Sequence, residues 1–314
     1  MKRTLLGVLI AATLAVPACA ETLKLAVGQR GNWDTSVAEL GQRAGIFRKH
    51  GLELEILYTA GGGETQQAVL SRSVDIGIAA GTLGVLGAAA KGAPVRIIGG
   101  ETTGAADLYW YVPVNSPLKA VSELAGKTVA FSTVGSSTDA VGRMAMAQYG
   151  VPFKMVATGS PPSTFTQTMS GQIDVGWAAA PFGVEALHGG KTRAIFRGSD
   201  IKAAQDQTIR VLLTHVAVLG QKKKLLVEFM QAYRETIDAM YSDDTVLNSY
   251  AEFAGIPEAV ARQTRDQFFP RAAIDPGRIR GLDAIMEDGV RFKFMAAPLT
   301  PDQMAQVVVA DQLK

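Results

Sequence analysis

Leu70-Ser-Arg-Ser-Val-Asp-Ile-Gly-Ile78 and Met169-Ser-Gly-Gln-Ile-Asp-Val-Gly-Trp177 are two versions of one stretch, and their relation decides the fold. Each ends a helical segment, turns through small residues and an aspartate, and enters a short apolar strand. A second pair keeps the same spacing. His50-Gly-Leu-Glu-Leu-Glu-Ile-Leu57 resembles Tyr149-Gly-Val-Pro-Phe-Lys-Met-Val156, and Gly51 and Gly150, like Asp75 and Asp174, lie 99 positions apart. One offset that satisfies two separate blocks predicts two similar lobes. The first strands, Leu25-Ala-Val27 and Val129-Ala-Phe131, correspond at an offset of 104, so loop lengths differ there.

Around these blocks, strands alternate with helical spacing. Leu23 to Val27 and Leu52 to Leu57 read as strands on either side of a helix from Thr35 to His50. A helix from Glu64 to Ser71, the strand Val74 to Ile78, a small-residue helix to Lys91 and the strand Val95 to Ile98 follow. This alternation predicts an α/β sheet with right-handed crossovers. The second lobe opens with Lys127-Thr-Val-Ala-Phe-Ser-Thr-Val-Gly-Ser-Ser-Thr-Asp139, a strand, a Gly-Ser-Ser loop and a helix. Such a loop aims unpaired amides and hydroxyls at one point, where an anion is welcome; Ser136 or Ser137 could equally cap its own helix. The chain crosses between lobes near Gly100 to Asp107 and again between Thr192 and His215. Beyond that the pattern is helical, with Pro257, Pro276 and Pro301 at expected helix starts. Lys222 to Lys224 reads as a solvated face.

The N-terminus fixes the expected compartment. Lys2 and Arg3, the apolar run Leu5 to Val16 and the small residues Ala18-Cys19-Ala20 form a secretory signal peptide, cleaved before Glu21. It is too short for a spanning helix of ~20 apolar residues. Lipid attachment through Cys19 is the less favoured reading. Cys19 is the only cysteine, so thiol chemistry and cysteine metal sites are not expected in the mature chain. About 290 residues can bury an adequate core without disulfides. Lys+Arg 31 against Asp+Glu 29 argues against a nucleic-acid partner.

Two α/β lobes joined by a double crossover behind a signal peptide resemble the type II periplasmic binding proteins. More narrowly, the chain resembles the nitrate, sulfonate, taurine and thiamine-precursor (NMT1/THI5-like) group of ABC-transporter substrate-binding proteins. The carriers are Ala44-Gly-Ile-Phe-Arg-Lys-His-Gly-Leu52, Leu70 to Gly77, Ser116-Pro-Leu-Lys-Ala-Val-Ser-Glu-Leu-Ala-Gly-Lys-Thr-Val-Ala130, Gly135-Ser-Ser137 and Gly171-Gln-Ile-Asp-Val-Gly-Trp-Ala-Ala-Ala-Pro181. The resemblance implies lobe 1 from 21 to 104, lobe 2 from 105 to 208, and a return to lobe 1 with C-terminal helices from 209 to 314. It also implies a monomer that takes a small organic anion, a sulfonate or carboxylate with an aromatic or aliphatic body, to the permease of an ABC importer in the inner membrane.

Ligands of open α/β sheets bind beyond the carboxyl ends of strands. Applied to this chain, the resemblance implies that Ser136, Ser137 and Thr138 present hydroxyls and amides to a carboxylate or sulfonate. Gly62, Gly63 and Thr82 would do the same from lobe 1, glycine permitting close approach. Trp33 and Phe182 are candidates to sandwich an apolar part of the ligand. Arg30 is a candidate for bidentate anion contact, and Gln29 and Pro181 flank these positions. Trp177 is expected in the core, and Asp75 and Asp174 in turns or caps.

The chain departs from the group in places. The tryptophan-rich acidic pocket expected for a pyrimidine precursor and the cysteine-rich iron motif of eukaryotic thiamine-pyrimidine synthases are not visible. No His or Lys cluster for nitrate or bicarbonate sits in the expected loops. An enzyme would need a nucleophile with its base or a metal site; His50, His188 and His215 offer neither spacing. No cofactor is expected. Enzymes share this fold, so the fold alone does not exclude catalysis. A receptor for a TRAP-type (TAXI) transporter is the alternative function.

Overall fold

The computed structural model describes residues 20–314; the expected signal peptide and Cys19 lie outside the described residues. Chain order begins with β1 (Glu21–Gly28), α1 (Val37–Arg43), α2 (Ile46–Lys49), β2 (Leu52–Thr59), α3 (Gly62–Leu70), β3 (Ile76–Gly81), α4 (Thr82–Ala90) and β4 (Val95–Thr103). It continues with β5 (Leu108–Pro113), β6 (Thr128–Phe131), α5 (Ser137–Tyr149), β7 (Lys154–Ala157), α6 (Pro161–Met169), β8 (Gly176–Ala179), α7 (Val184–His188) and β9 (Thr192–Arg197). The chain then returns through α8 (Lys202–Gln205) to β10 (Thr208–His215). Five helices close it: α9 (Val216–Ser242), α10 (Asp244–Ala254), α11 (Glu258–Gln263), α12 (Leu282–Arg291) and α13 (Pro301–Val307).

One sheet has the order β2-β1-β3-β10-β4, and the second lobe is built on β8-β5-β9 and the parallel pair β6-β7. A bridge between Val129 and Val175 joins the last two groups. β4 and β10, antiparallel neighbours, carry the chain out to the second lobe and back.

The repeat extends to individual hydrogen bonds. The Asp75 carboxylate accepts the Lys24 amide at 3.0 Å, and the Asp174 carboxylate accepts the Thr128 amide at 2.8 Å. Each aspartate thereby ties its strand to the first strand of its lobe. The hydroxyls of Thr59 and Thr65 meet at 2.8 Å, and those of Thr158 and Thr164 at 2.6 Å. Parallel pairing sets Lys24 against Glu55 in one lobe and Thr128 against Lys154 in the other. Each partner pair matches at the offsets of the sequence blocks.

Packing supports both sheets. Phe47, Phe229, Tyr233 and Leu226 fill the space between the first sheet and α9, and Trp110 stacks on Phe196 at 4.6 Å in lobe 2. Each such side chain contributes about 1.5–3 kcal/mol by leaving water.

Several elements differ from the sequence expectation. The helix from Thr35 to His50 is broken, because Gly45 takes a left-handed φ of 72° between α1 and α2. Pro276 starts no helix; a turn through Gly277 and Gly281 delays α12 to Leu282. Lys222 does not belong to a plain solvated face. It sits at a kink in α9 and its ammonium grips both Asp75 oxygens at 2.8 and 2.9 Å.

Candidate functional site

Two helices from opposite lobes begin at one cavity. α3 opens at Gly61-Gly62 and α5 at Ser136-Ser137, and all four residues line a space of about 20 Å³ together with Gln29, Asn32, Asp34, Thr138, Trp177 and Arg210. The first amides of a helix lack internal acceptors and carry part of its positive end. Sequence places them here: glycine lets the α3 turn approach the partner lobe, and the Ser136 hydroxyl caps α5 by accepting the Asp139 amide at 3.3 Å. Gly63 donates its amide to the Thr133 hydroxyl at 3.0 Å across the cleft. Gly84 on α4 packs directly on Gly135, where any Cβ would overlap the Gly135 carbonyl.

Arg210, on β10, is the buried hub beneath this cavity. Its Nε donates to Ser137 Oγ at 3.1 Å, one terminal nitrogen to Asp34 at 2.8 Å and the other to Asp107 at 2.8 Å. One side chain thus ties lobe 1, the first crossover and the α5 opening. Burial by itself would lower the Arg210 pKa, but Asp107 and Asp34 hold the guanidinium charged.

Glu101 is the surplus acid. It is 1% exposed, and neither carboxyl oxygen has a hydrogen-bond partner. Burial, reinforced by Asp34 and Asp107 and opposed by Arg210, raises its pKa well above the carboxylate range. A carboxyl with a higher folded than unfolded pKa contributes fully below its unfolded value of about 4.3. That contribution is lost as pH rises through the folded value. Stability should therefore decline above about pH 4.3. Glu101→Gln should flatten that decline, leaving the smaller slope due to Asp107, whose pKa burial also raises. Urea titrations across pH would show it, and unchanged slopes would contradict the assignment.

The structure brings Gln29, Gly62, Ser136, Ser137 and Thr138 to one cavity. It does not bring the other candidates there. Trp33 is a correction: its ring is fully buried in lobe 1, edge-on to Tyr250 and Tyr241, and its Nε1 donates to the Tyr241 hydroxyl at 2.9 Å. Thr82 is another, because its hydroxyl donates to the Thr208 carbonyl at 2.6 Å inside the lobe junction. Arg30 lies over the Phe253 ring at 4.2 Å, so a cation–π contact occupies it. The Gly63 amide is taken by Thr133. Pro181 is buried at a cis peptide bond after β8, and Phe182 lines a separate groove described below.

Several contributors were missed, Asp34 among them. Trp177, expected in the core, lines the cavity with a buried Nε1 that has no partner. Asn32 lines it with an unpartnered Oδ1. Arg210 carried a usable signal: an arginine inside the apolar run Ile209-Arg-Val-Leu-Leu213 needs buried partners. The histidines stand elsewhere. His50 pairs with Glu235 at 2.8 Å, and His215 Nδ1 accepts the Ala217 amide at the start of α9.

Proteins of known structure share this fold. The alkanesulfonate-binding protein SsuA from Xanthomonas axonopodis pv. citri, solved bound to MOPS, is 18% identical with a TM-score of 0.74 over 92% of this chain and 98% of that one. The periplasmic aliphatic sulphonate-binding protein SsuA from Escherichia coli is 19% identical, with a TM-score of 0.69 over 93% and 99%. The desulfurization enzyme DSZB shares the fold too, at 15% identity and a TM-score of 0.62 over 93% and 97%. These likenesses establish the periplasmic binding protein fold. No curated protein matches the sequence significantly, and no helix among the described residues is long and apolar enough to cross a membrane. The family model described as NMT1/THI5 like matches residues 37–245, which span both lobes and the return strand, and the chain belongs to that family.

Proposed function

We propose that this protein is a periplasmic solute-binding protein that captures a small organic anion, a sulfonate or carboxylate, between its lobes and delivers it to an ABC importer. On this reading it is a monomer, with lobe 1 from 21 to 104, lobe 2 from 105 to 208 and a return from 209, and it catalyses nothing. The carrying observation is the convergence of the α3 and α5 N-termini, from opposite lobes, on one cavity lined also by Trp177, whose buried Nε1 has no partner. Arg210 is already matched by Asp34 and Asp107. The helix ends and the indole, rather than the guanidinium, therefore receive the anion's charge. The Ser137 hydroxyl is held by Arg210 instead of a base, which favours binding over nucleophilic chemistry. The names of the SsuA neighbours agree with an anionic sulfonate head.

Trp177→Phe tests the reading. It removes an N–H that has no partner within the protein, so folding should change little. A hydrogen bond to a charged group contributes ~1.5–3 kcal/mol, so anion affinity should fall about tenfold or more. Calorimetry against a panel of sulfonates and carboxylates checks it; unchanged affinity in the variant would contradict the reading.

A further inference from the structure

The cleft cavity of about 20 Å³ has room for about one water molecule. An organic anion can place little more than part of its charged head there. Its carbon body must lie elsewhere. Between α6 and α7, on lobe 2, runs a groove of about 460 Å³, within the size range of ligand pockets. Its floor is largely apolar and aromatic, with Tyr111, Pro161, Phe165, Ala178 and Phe182, and Thr166, Glu185 and Lys191 add polar groups to the lining.

Phe182, on the wall of the groove, reaches toward the loop beside the cleft. Its ring tip lies 3.4 Å from where a Cβ on Gly31 would stand. Gly31, at φ 98°, sits in the loop whose Gln29 and Asn32 line the cleft cavity. The Phe182 carbonyl is fixed by the Tyr109 hydroxyl, whereas its ring is only half-buried. The backbone is pinned, and the ring lies on the groove's wall against the Gly31 loop.

Resting on the anion-capture reading above, we propose that this groove is the subsite for the body of the ligand and that the preferred ligand is an arene-bearing acid. The head sits at the α3 and α5 N-termini, and a flat ring packs against Phe165, Tyr111 and Phe182. Flat aromatic faces suit such walls better than a short alkyl chain does.

Calorimetry with methanesulfonate and benzenesulfonate, and with acetate and phenylacetate, separates head from body. Burying a phenyl ring contributes about 1.5–3 kcal/mol, so the arene acids should bind about 30-fold tighter than the head-only acids. Thr166→Trp and Ala186→Trp fill the groove from its two helices, Thr166 at an exposed position. Either should abolish most of the arene advantage and leave head-only affinity and melting temperature unchanged. Equal affinities for arene and head-only acids would overturn the subsite, as would an advantage that survives both variants; a groove that instead receives a permease segment gives one of these results. If none of the four acids binds, the anion-capture reading itself fails, and the subsite with it.

Discussion

Arg210→Met is expected to cost about 3–5 kcal/mol of unfolding free energy, the range for removing one partner of a buried ion pair. Arg210 is 5% exposed and its partners Asp34 and Asp107 are 1% and 0% exposed. Met fills the volume but leaves both carboxylates without their shared cation, next to Glu101. The deficit should shrink on acidification, because burial raises the pKa of Asp107 and, much further, that of Glu101, and both take up protons more readily. Arg210→Lys should recover little, since one ammonium cannot match a fork that reaches Asp34, Asp107 and Ser137 together. Chemical denaturation at neutral and acidic pH measures this. A loss below about 1 kcal/mol, the scale of a surface pair, would mean that the cluster is solvated and that Arg210 is no hub.

The second large effect concerns closure. Gly84 lies inside α4 without a positive φ, so Ala there should favour the helix itself by about 1 kcal/mol. Its Cβ would nevertheless collide with the Gly135 carbonyl of the opposite lobe, which is backbone and cannot swing aside. Gly63→Ala meets the same loop from α3, at the Val134 carbonyl. Both variants should push the lobes apart and bind the anion about a hundredfold more weakly, as expected when a clash penalises the arrangement in which the lobes meet. Affinity within about twofold of wild type would show that the lobes do not need this approach to bind.

Much of the fold was legible because the two lobes repeat their local hydrogen-bond chemistry. Asp75 and Asp174 each serve an amide of the first strand, and the Thr59–Thr65 and Thr158–Thr164 pairs recur at the same offset. The glycine and serine openings of α3 and α5 were legible for a local reason: helix ends expose donors whatever surrounds them. Roles that depend on distant partners were not. Arg210 finds Asp34, Asp107 and Ser137 at separations of 176, 103 and 73 residues. Trp33 and Trp177 both follow strands or lie within them, and nothing near either distinguishes them. Trp33 is covered by Tyr241 and Tyr250, more than 200 positions later, while Trp177 lines a cavity formed by both lobes and its N–H has no partner. Pro276 misled because a proline predicts a turn as readily as a helix start, and the following Gly277 decides for the turn.

The central claim is that ligand is held by closing two lobes on one cavity. Small-angle scattering with and without the acid that most raises the melting temperature tests it directly, on wild type and Gly84→Ala side by side. The acid is predicted to contract the wild-type protein and to leave Gly84→Ala at its unliganded dimensions. Superimposable wild-type curves at saturating acid, with binding confirmed by calorimetry in the same samples, would contradict the claim.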